Sequence, residues 1–143
     1  MKLLKWGLST TSECSFCSAP ESLLHVVIGC RLYLESFTWR RNSILNFLAL
    51  TFQPLRNTVL FVDLLGFSNP SIITGDSHRP GLLIKTSSSS LYLLELMVGF
   101  ESNLENNCIR KNAKYVHLVT ELRSSFKNVE FINLSMSSLG IYL

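Results

Sequence analysis

The sequence has few charged residues and no long uninterrupted apolar run. Its 143 residues include only 13 Lys and Arg and 10 Asp and Glu, so the formal net charge is +3. This balance excludes a strong global field that attracts polyanions, and any such affinity has to come from local clusters. The most hydrophobic stretch, residues 44–65, is interrupted by Gln53, Pro54 and Arg56. A membrane span needs about 20 mostly apolar residues, so the sequence predicts none.

The sequence also lacks a secretory signal and an internal repeat. Lys2 and Lys5 carry charge, and Gly7 with the Ser/Thr run after it leaves no apolar centre for a signal peptide. We therefore expect an intracellular protein. Apolar residues make up 47% of the chain, which is enough for a buried core. The length fits one modest domain, or a small metal-stabilised module followed by a compact domain.

Three of the four cysteines lie close to a histidine. The spacing is Cys14-x2-Cys17-x7-His25-x4-Cys30. Three thiolates and one imidazole make a closed tetrahedral site, typical of structural zinc, with no open position for a water. The ion would fold about 20 residues that bury too little surface by themselves. The sequence therefore predicts a zinc knuckle.

Two further interpretations concern the same segment and the fourth cysteine. Residues 23–27 predict a short helical turn that carries His25, and Cys108 is interpreted as a buried thiol on a later helix. The alternative to a zinc site is that cysteines without a metal and a core histidine share this register by chance. Complete four-ligand spacings seldom arise that way.

The rest of the chain predicts an α/β domain. Its apolar patterns give the order helix, strand, strand, strand, helix, strand. We expect the middle strands to form an antiparallel hairpin, and the long helix, capped by Ser102 and Glu105, to cross over to the last strand. The predicted boundary near Ser36 separates the knuckle, residues 1–35, from the α/β domain, residues 36–143. The predicted elements span 37–50, 58–65, 82–86, 91–98, 102–126 and 129–134.

This arrangement resembles the C-terminal region of non-LTR retrotransposon polyproteins. In that family a reverse transcriptase is followed by a CCHC zinc finger and a restriction-like endonuclease of the PD-(D/E)XK fold. The endonuclease motif is a basic residue, Pro and Asp, followed on the next strand by an acidic residue. Here Arg79-Pro80-Gly81 is followed, after thirteen residues, by Glu95. The segment 110–115 resembles the basic, Tyr-containing helix of the family.

The resemblance implies a metal-dependent nuclease site around Glu95. Two carboxylates would hold a magnesium ion, which activates a water and stabilises charge on the scissile phosphate. A lysine would orient or deprotonate that water. The implied catalytic residues are Glu95, Lys111 and Lys114, and the lysine would have migrated to the helix because the E-x-K position holds Met97.

Gly81 departs from the family pattern. It occupies the place of the motif Asp, and glycine has no side chain to bind a metal. The resemblance therefore implies an endonuclease-like domain that is impaired or inactive. Asp76 and Glu101 are the acidic residues that could compensate, although neither occupies the motif position.

Structural interpretations of the same residues stay open. Glu95 can be a structural partner of Lys85 or Lys114, because buried charges are normally paired. Lys111 and Lys114 can be the solvated face of an amphipathic helix. The nearby aromatic and imidazole side chains are interpreted as core or surface residues: His78, His117 and Tyr115.

Three functions follow as alternatives. The first is a degenerate retroelement endonuclease whose zinc knuckle helps to grip DNA, and which would act in the nucleus. The second is a non-enzymatic remnant that binds DNA or RNA through phosphate contacts. The third is a truncated reading frame without a selected role, since family members are expected to continue beyond 139–143. The residues expected to touch nucleic acid are Arg31, Arg40, Arg41, Arg110 and Lys111.

Overall fold

The chain forms two compact units, residues 1–40 and 41–143. The computed structural model describes residues 12–14, 17–20, 22, 25, 30–99 and 101–137. The first unit holds the Cys/His cluster, and the second holds a sheet with helices. Apart from His25, the helical turn predicted at 23–27 lies outside the described residues, as does the side chain of the predicted cap Ser102.

The first long helix, α1, spans Leu34–Phe52 and follows a 3-10 turn at Arg31–Tyr33. It ends next to Gln53-Pro54, because proline removes a backbone donor. Leu45 and Ala49 are fully buried.

The apolar pattern of α1 pointed partly to the wrong face. The near-helical spacing of Phe37, Ile44, Phe47 and Leu48 puts Phe47 on the predicted apolar face, yet Phe47 is 68% exposed. Residues 45 and 47 are about 200° apart around a helix, so the face centred on Leu45 turns Phe47 towards solvent.

The sheet has four strands in the order β1-β2-β3-β4. The first three strands are antiparallel neighbours, and β3 pairs with β4 in parallel. Both the predicted hairpin and the predicted crossover are therefore confirmed. The bounds are Thr58–Val62 for β1, Leu82–Thr86 for β2, Ser90–Gly99 for β3 and Asn128–Ser137 for β4.

Two further helices complete the second unit. A short helix, α2, spans Ser71–Thr74 in the stretch 66–80, which its Gly and Pro residues predict to be a long loop. The crossover helix, α3, spans Glu101–Leu122. The predicted helix extended to residue 126, but residues 123–126 form turns. The predicted first strand extended to residue 65, but it ends at Val62, whose N–H bonds the carbonyl of Ser68 at 2.8 Å.

Apolar side chains pack on both faces of the sheet, because successive residues of a strand point to opposite sides. One cluster joins Tyr115, Leu118 and Leu122 of α3 to the sheet, and a second joins Leu45 and Ala49 of α1 to it. The result is a mixed α/β domain. In the part of the chain that the structure describes, no helix is long and apolar enough to cross a membrane. The strand residues of the first cluster are Phe61, Leu83, Leu91, Leu93 and Val129, and those of the second are Val62, Leu82, Ile84, Leu94 and Leu96.

Candidate functional site

Short main-chain bonds place the ligands of the Cys/His cluster. The N–H of Cys14 bonds the carbonyl of Ala19 at 2.9 Å, which closes the turn between the first two cysteines. The N–H of His25 bonds Ser22 Oγ at 3.0 Å, and the carbonyl of His25 accepts the N–H of Cys30 at 2.7 Å. These hydrogen bonds help to bring the four ligands together.

The four ligand atoms lie close enough together to hold one ion. Cys30 Sγ lies 3.9 Å from both Cys14 Sγ and Cys17 Sγ, and Cys17 Sγ lies 3.1 Å from His25 Nε2. All four ligand atoms lie within 4.8 Å of one another. A tetrahedron with metal–sulfur bonds of about 2.3 Å has edges of about 3.8 Å, so one ion fits between them. The cluster therefore suits a structural metal.

The Cys17 thiol has a raised pKa. A backbone hydrogen bond at Ala19 lowers this pKa, but desolvation and the neighbouring sulfurs of Cys30 and Cys14 outweigh it. Each further thiolate repels the others, so a cation between them favours the deprotonated cluster. Metal binding is thereby coupled to proton release.

The second group of polar residues surrounds Glu95 on β3, which is only 6% exposed. The Lys111 ammonium donates to its Oε1. Tyr115 OH donates to its Oε2 at 3.1 Å, and the Gly81 N–H donates to the same oxygen at 3.2 Å. Both carboxylate oxygens therefore have partners, as a buried charge requires.

Helix and strand periodicity explain why these groups meet. Lys111 and Tyr115 are four residues apart, so they lie on the same face of α3. Glu95 is two residues beyond Leu93 on β3, and it therefore lies on the sheet face that α3 covers. Met97, at the E-x-K position, carries no charge, and the ammonium comes from α3 instead.

Gly81 lies at the end of the β2–β3 ladder. The register pairs Leu82 with Leu94, so Gly81 is the next residue outward and faces Glu95. A Cβ at position 81 would lie 3.1 Å from Leu45 Cδ2 and 3.6 Å from the Leu94 carbonyl oxygen. A Cβ at position 81 would therefore crowd a methyl group of Leu45, which would have to shift by a few tenths of an ångström.

Asp63, directly after β1, belongs to the same region. Its N–H bonds the Gly81 carbonyl at 2.9 Å. Its carboxylate pairs with Arg41 at 2.9 Å and with Arg79 at 3.3 Å. Sequence reasoning missed Asp63, and the available signal was an acidic residue directly following a buried strand. Gly81 therefore connects two ion-pair groups through its main chain.

Tyr115 is completely buried and its pKa is raised. Burial is the largest cause, followed by the nearby charge of Glu95 and the hydrogen bond to it. The ring stacks on Phe131 with centroids 4.8 Å apart, and the His78 ring meets it edge-on at 6.3 Å. The interpretation of Tyr115 as a core residue is confirmed, and its hydroxyl also serves the carboxylate.

Glu95 is paired with a lysine, as the structural interpretation predicted, but among the described residues that partner is Lys111 rather than Lys85 or Lys114. Lys85 lies 5.8 Å from the Phe126 ring centroid, and Lys114 lies 5.3 Å from that of Tyr115. Lys111 holds the carboxylate instead, because α3 turns residue 111 towards the sheet.

The other predicted residues are scattered. Asp76 is exposed, and no contact joins it to Glu95 among the described residues; the side chain of Glu101 lies outside them. Cys108 is half-buried on α3 rather than buried. Among the predicted nucleic-acid contacts, three are exposed and two are engaged by carboxylates. The exposed residues are Arg31, Arg40 and Arg110, and the engaged ones are Arg41 and Lys111.

A magnesium ion does not fit the Glu95 group as it stands. Mg²⁺ requires oxygen ligands in near-octahedral geometry. Glu95 supplies one carboxylate whose oxygens already accept three hydrogen bonds, and Gly81 supplies no side-chain ligand. The metal expected from the sequence resemblance therefore has no prepared site here.

No protein-family model matches the chain, and no curated protein matches its sequence. The fold class and the two candidate sites therefore rest on the residues and their geometry.

Proposed function

We propose that the chain is a zinc-binding, nucleic-acid-binding protein derived from the endonuclease region of a retroelement, with metal-dependent cleavage lost or impaired. The observation that carries this proposal is the group around Glu95. A buried carboxylate, a helix-borne lysine and a tyrosine converge at the strand edge where the Arg79-Pro80-Gly81 motif also lies. The position that should supply the second carboxylate is a glycine, and a Cβ there would crowd a methyl group of Leu45 at 3.1 Å.

The order of elements supports a PD-(D/E)XK ancestry. A helix, an antiparallel three-strand meander and a helical crossover to a parallel fourth strand is the order expected for that fold. Gly81 and Glu95 lie at adjacent positions where β2 and β3 meet, which is where the resemblance requires the two motif acids. Fold alone does not imply function, so the proposal depends on the site.

The ion that we propose for the Cys/His cluster is zinc. Three sulfurs and one nitrogen at tetrahedral spacing are the ligand set that structural zinc prefers. Cys14 and Cys30 are buried and the other two ligands are half-buried, so the ion would be enclosed. Its role would be to fold the first unit rather than to perform chemistry.

Nucleic-acid binding is proposed to use the exposed arginines. Arg31, Arg40 and Arg110 project into solvent, and guanidinium groups bind phosphate oxygens in a bidentate manner. Because the global charge is small, such contacts would give a modest, sequence-tolerant and salt-dependent affinity.

The experiment is a salt titration of binding. Zinc-loaded protein is titrated into a fluorescent DNA duplex, and into single-stranded RNA of the same length, with anisotropy as the readout. We expect affinity to fall steadily with salt. The triple variant Arg31→Ala/Arg40→Ala/Arg110→Ala should flatten the logarithmic slope by about 0.9 per lost duplex contact.

Arg56→Ala/Arg123→Ala is the matched control, since both arginines are exposed and neither belongs to the proposed contacts. It should leave the slope nearly unchanged. Absence of binding to both nucleic acids at low salt, by a protein that is folded and zinc-loaded, would refute the proposal.

A further inference from the structure

The negative charge of Glu95 is balanced by the Lys111 ammonium, without a metal ion. We infer that the Lys111 ammonium occupies the place of the divalent cation, so that Glu95 is closed to Mg²⁺ and Mn²⁺ while Lys111 is present. The inference rests on the proposed function, because it assumes that the site descends from one that held a metal. It goes further by naming the residue that replaced the metal.

Both oxygens of the Glu95 carboxylate already accept hydrogen bonds. Lys111 takes Oε1, whereas Tyr115 and the Gly81 N–H share Oε2. A metal ion would have to displace the ammonium and a hydrogen bond from a carboxylate that is only 6% exposed. A divalent cation such as Mg²⁺ gives up its water ligands reluctantly, and one carboxylate supplies too few oxygen ligands to replace them.

The charges around Gly81 also oppose the binding of a divalent cation. Three positive groups, Arg41, Arg79 and Lys111, face two negative groups, Asp63 and Glu95. The local sum is three minus two, or +1, so a divalent cation approaching Glu95 meets net repulsion. Asp63, the other nearby acid, already pairs with both arginines through its two oxygens.

Lys111 is held in position by a network on the neighbouring strand. Asn133, paired with Glu95 in the β3–β4 register, donates through Nδ2 to the Cys108 carbonyl at 3.2 Å and to Asn112 Oδ1 at 3.0 Å. Ser135, fully buried, donates to Asn133 Oδ1 at 2.6 Å, which fixes the orientation of the amide. These hydrogen bonds fix the turn of α3 that carries Lys111 against β4, and they thereby hold the ammonium beside the carboxylate.

The test uses Mn²⁺ as a paramagnetic probe on zinc-loaded protein. Line broadening is followed at the Gly81 amide and the Tyr115 ring, which both contact Glu95. We expect wild type and Lys111→Arg to show no selective broadening at millimolar Mn²⁺. Lys111→Met should lose most of the Gly81 amide intensity, and Lys111→Met/Glu95→Gln should retain it.

A second variant covers the case in which Lys111→Met does not fold. Asn133→Ala keeps the lysine but releases its helix turn from β4, and it should give broadening intermediate between wild type and Lys111→Met. Glu95-dependent broadening in wild type overturns the inference, and so does a folded Lys111→Met that shows none. A failure to bind nucleic acid overturns the proposed function and leaves the Mn²⁺ result standing, so the two failures are distinguishable.

Discussion

The main-chain N–H of Gly81 donates a hydrogen bond to Oε2 of Glu95 at 3.2 Å, at the point where the β2–β3 ladder ends. Gly81 contributes its backbone at a position where the nuclease motif needs a carboxylate. Leu45 lies 3.1 Å from the place where a Cβ would be added. Restoring the acid is therefore a packing problem as well as a chemical one.

Gly81→Asp alone should destabilise the second unit. The new Cβ crowds Leu45, and its carboxylate enters a partly apolar space beside Glu95, so we expect a loss of about 1–3 kcal/mol in the free energy of unfolding. Gly81→Ala should cost less, because it adds the same Cβ without the charge. Urea denaturation followed by fluorescence measures both variants.

Removing Leu45 offers a sharper comparison. In Gly81→Asp/Leu45→Ala the crowding is relieved, so the double variant should be more stable than the sum of the two single changes predicts. Simple additivity of the two losses would show that Leu45 does not occupy the space of the missing side chain.

Breaking the ion pair between Lys111 and Glu95 should lower the free energy of unfolding most when only one partner is removed. Lys111→Met leaves a buried carboxylate without its cation, at a cost of about 3 kcal/mol. Glu95→Gln should cost less, because the amide oxygen still accepts a bond from Tyr115 or Gly81. The double variant should be more stable than Lys111→Met alone. Denaturation of all four proteins gives the coupling energy, and a value near zero would contradict the pairing.

Zinc content should depend on Cys17 and be independent of Cys108. Cys17→Ser removes one corner of the tetrahedron, so we expect zinc per chain to fall from about one to well below one. Cys108→Ser is the matched control, since Cys108 lies on α3 outside the cluster. Elemental analysis of purified protein makes the measurement. Equal zinc in wild type and Cys17→Ser would exclude the site.

Zinc affinity should fall as the pH is lowered. The raised pKa of the Cys17 thiol means that the metal has to displace a more firmly held proton. A competition titration with a chromophoric chelator, repeated at several pH values, would show apparent affinity rising with pH. A flat profile would contradict thiolate ligation.

Tyr115 should make the protein sensitive to alkali. Its pKa is raised in the folded state, so the folded chain keeps the phenol proton while the unfolded chain releases it above an ordinary pKa of about 10. The stability is therefore complete below that pH and falls as pH rises towards the folded pKa. Tyr115→Phe should flatten this decline. Unfolding midpoints of both proteins across the alkaline range provide the measurement, and identical slopes would refute the assignment.

Much of the fold was predictable because local signals agreed with the tertiary structure. The strand at Leu82–Thr86, the hairpin and the parallel crossover follow from β-rich runs, turn residues and one long amphipathic helix. The buried face of α1 was less predictable, because this helix carries apolar residues on several of its faces. Tertiary packing buries Leu45 and leaves Phe47 exposed.

The two candidate sites also differ in how far the sequence alone predicts them. The Cys/His ligands are close in sequence, so their spacing alone predicts that they meet. The partner of Glu95 depends on which face α3 turns to the sheet, so tertiary packing selects Lys111 over Lys114 on that helix. Asp63 directly follows a buried strand, which was a local signal, but its contacts with Gly81, Arg41 and Arg79 are set by tertiary packing.

The central proposal is that the chain binds nucleic acid and has lost its metal-dependent cleavage. The most direct measurement incubates zinc-loaded wild type with an end-labelled DNA duplex and Mg²⁺, and follows binding by anisotropy and strand integrity on a denaturing gel in the same samples. The account predicts saturable, salt-sensitive binding with intact strands. Mg²⁺-dependent nicking by wild type that disappears in Glu95→Gln would contradict it.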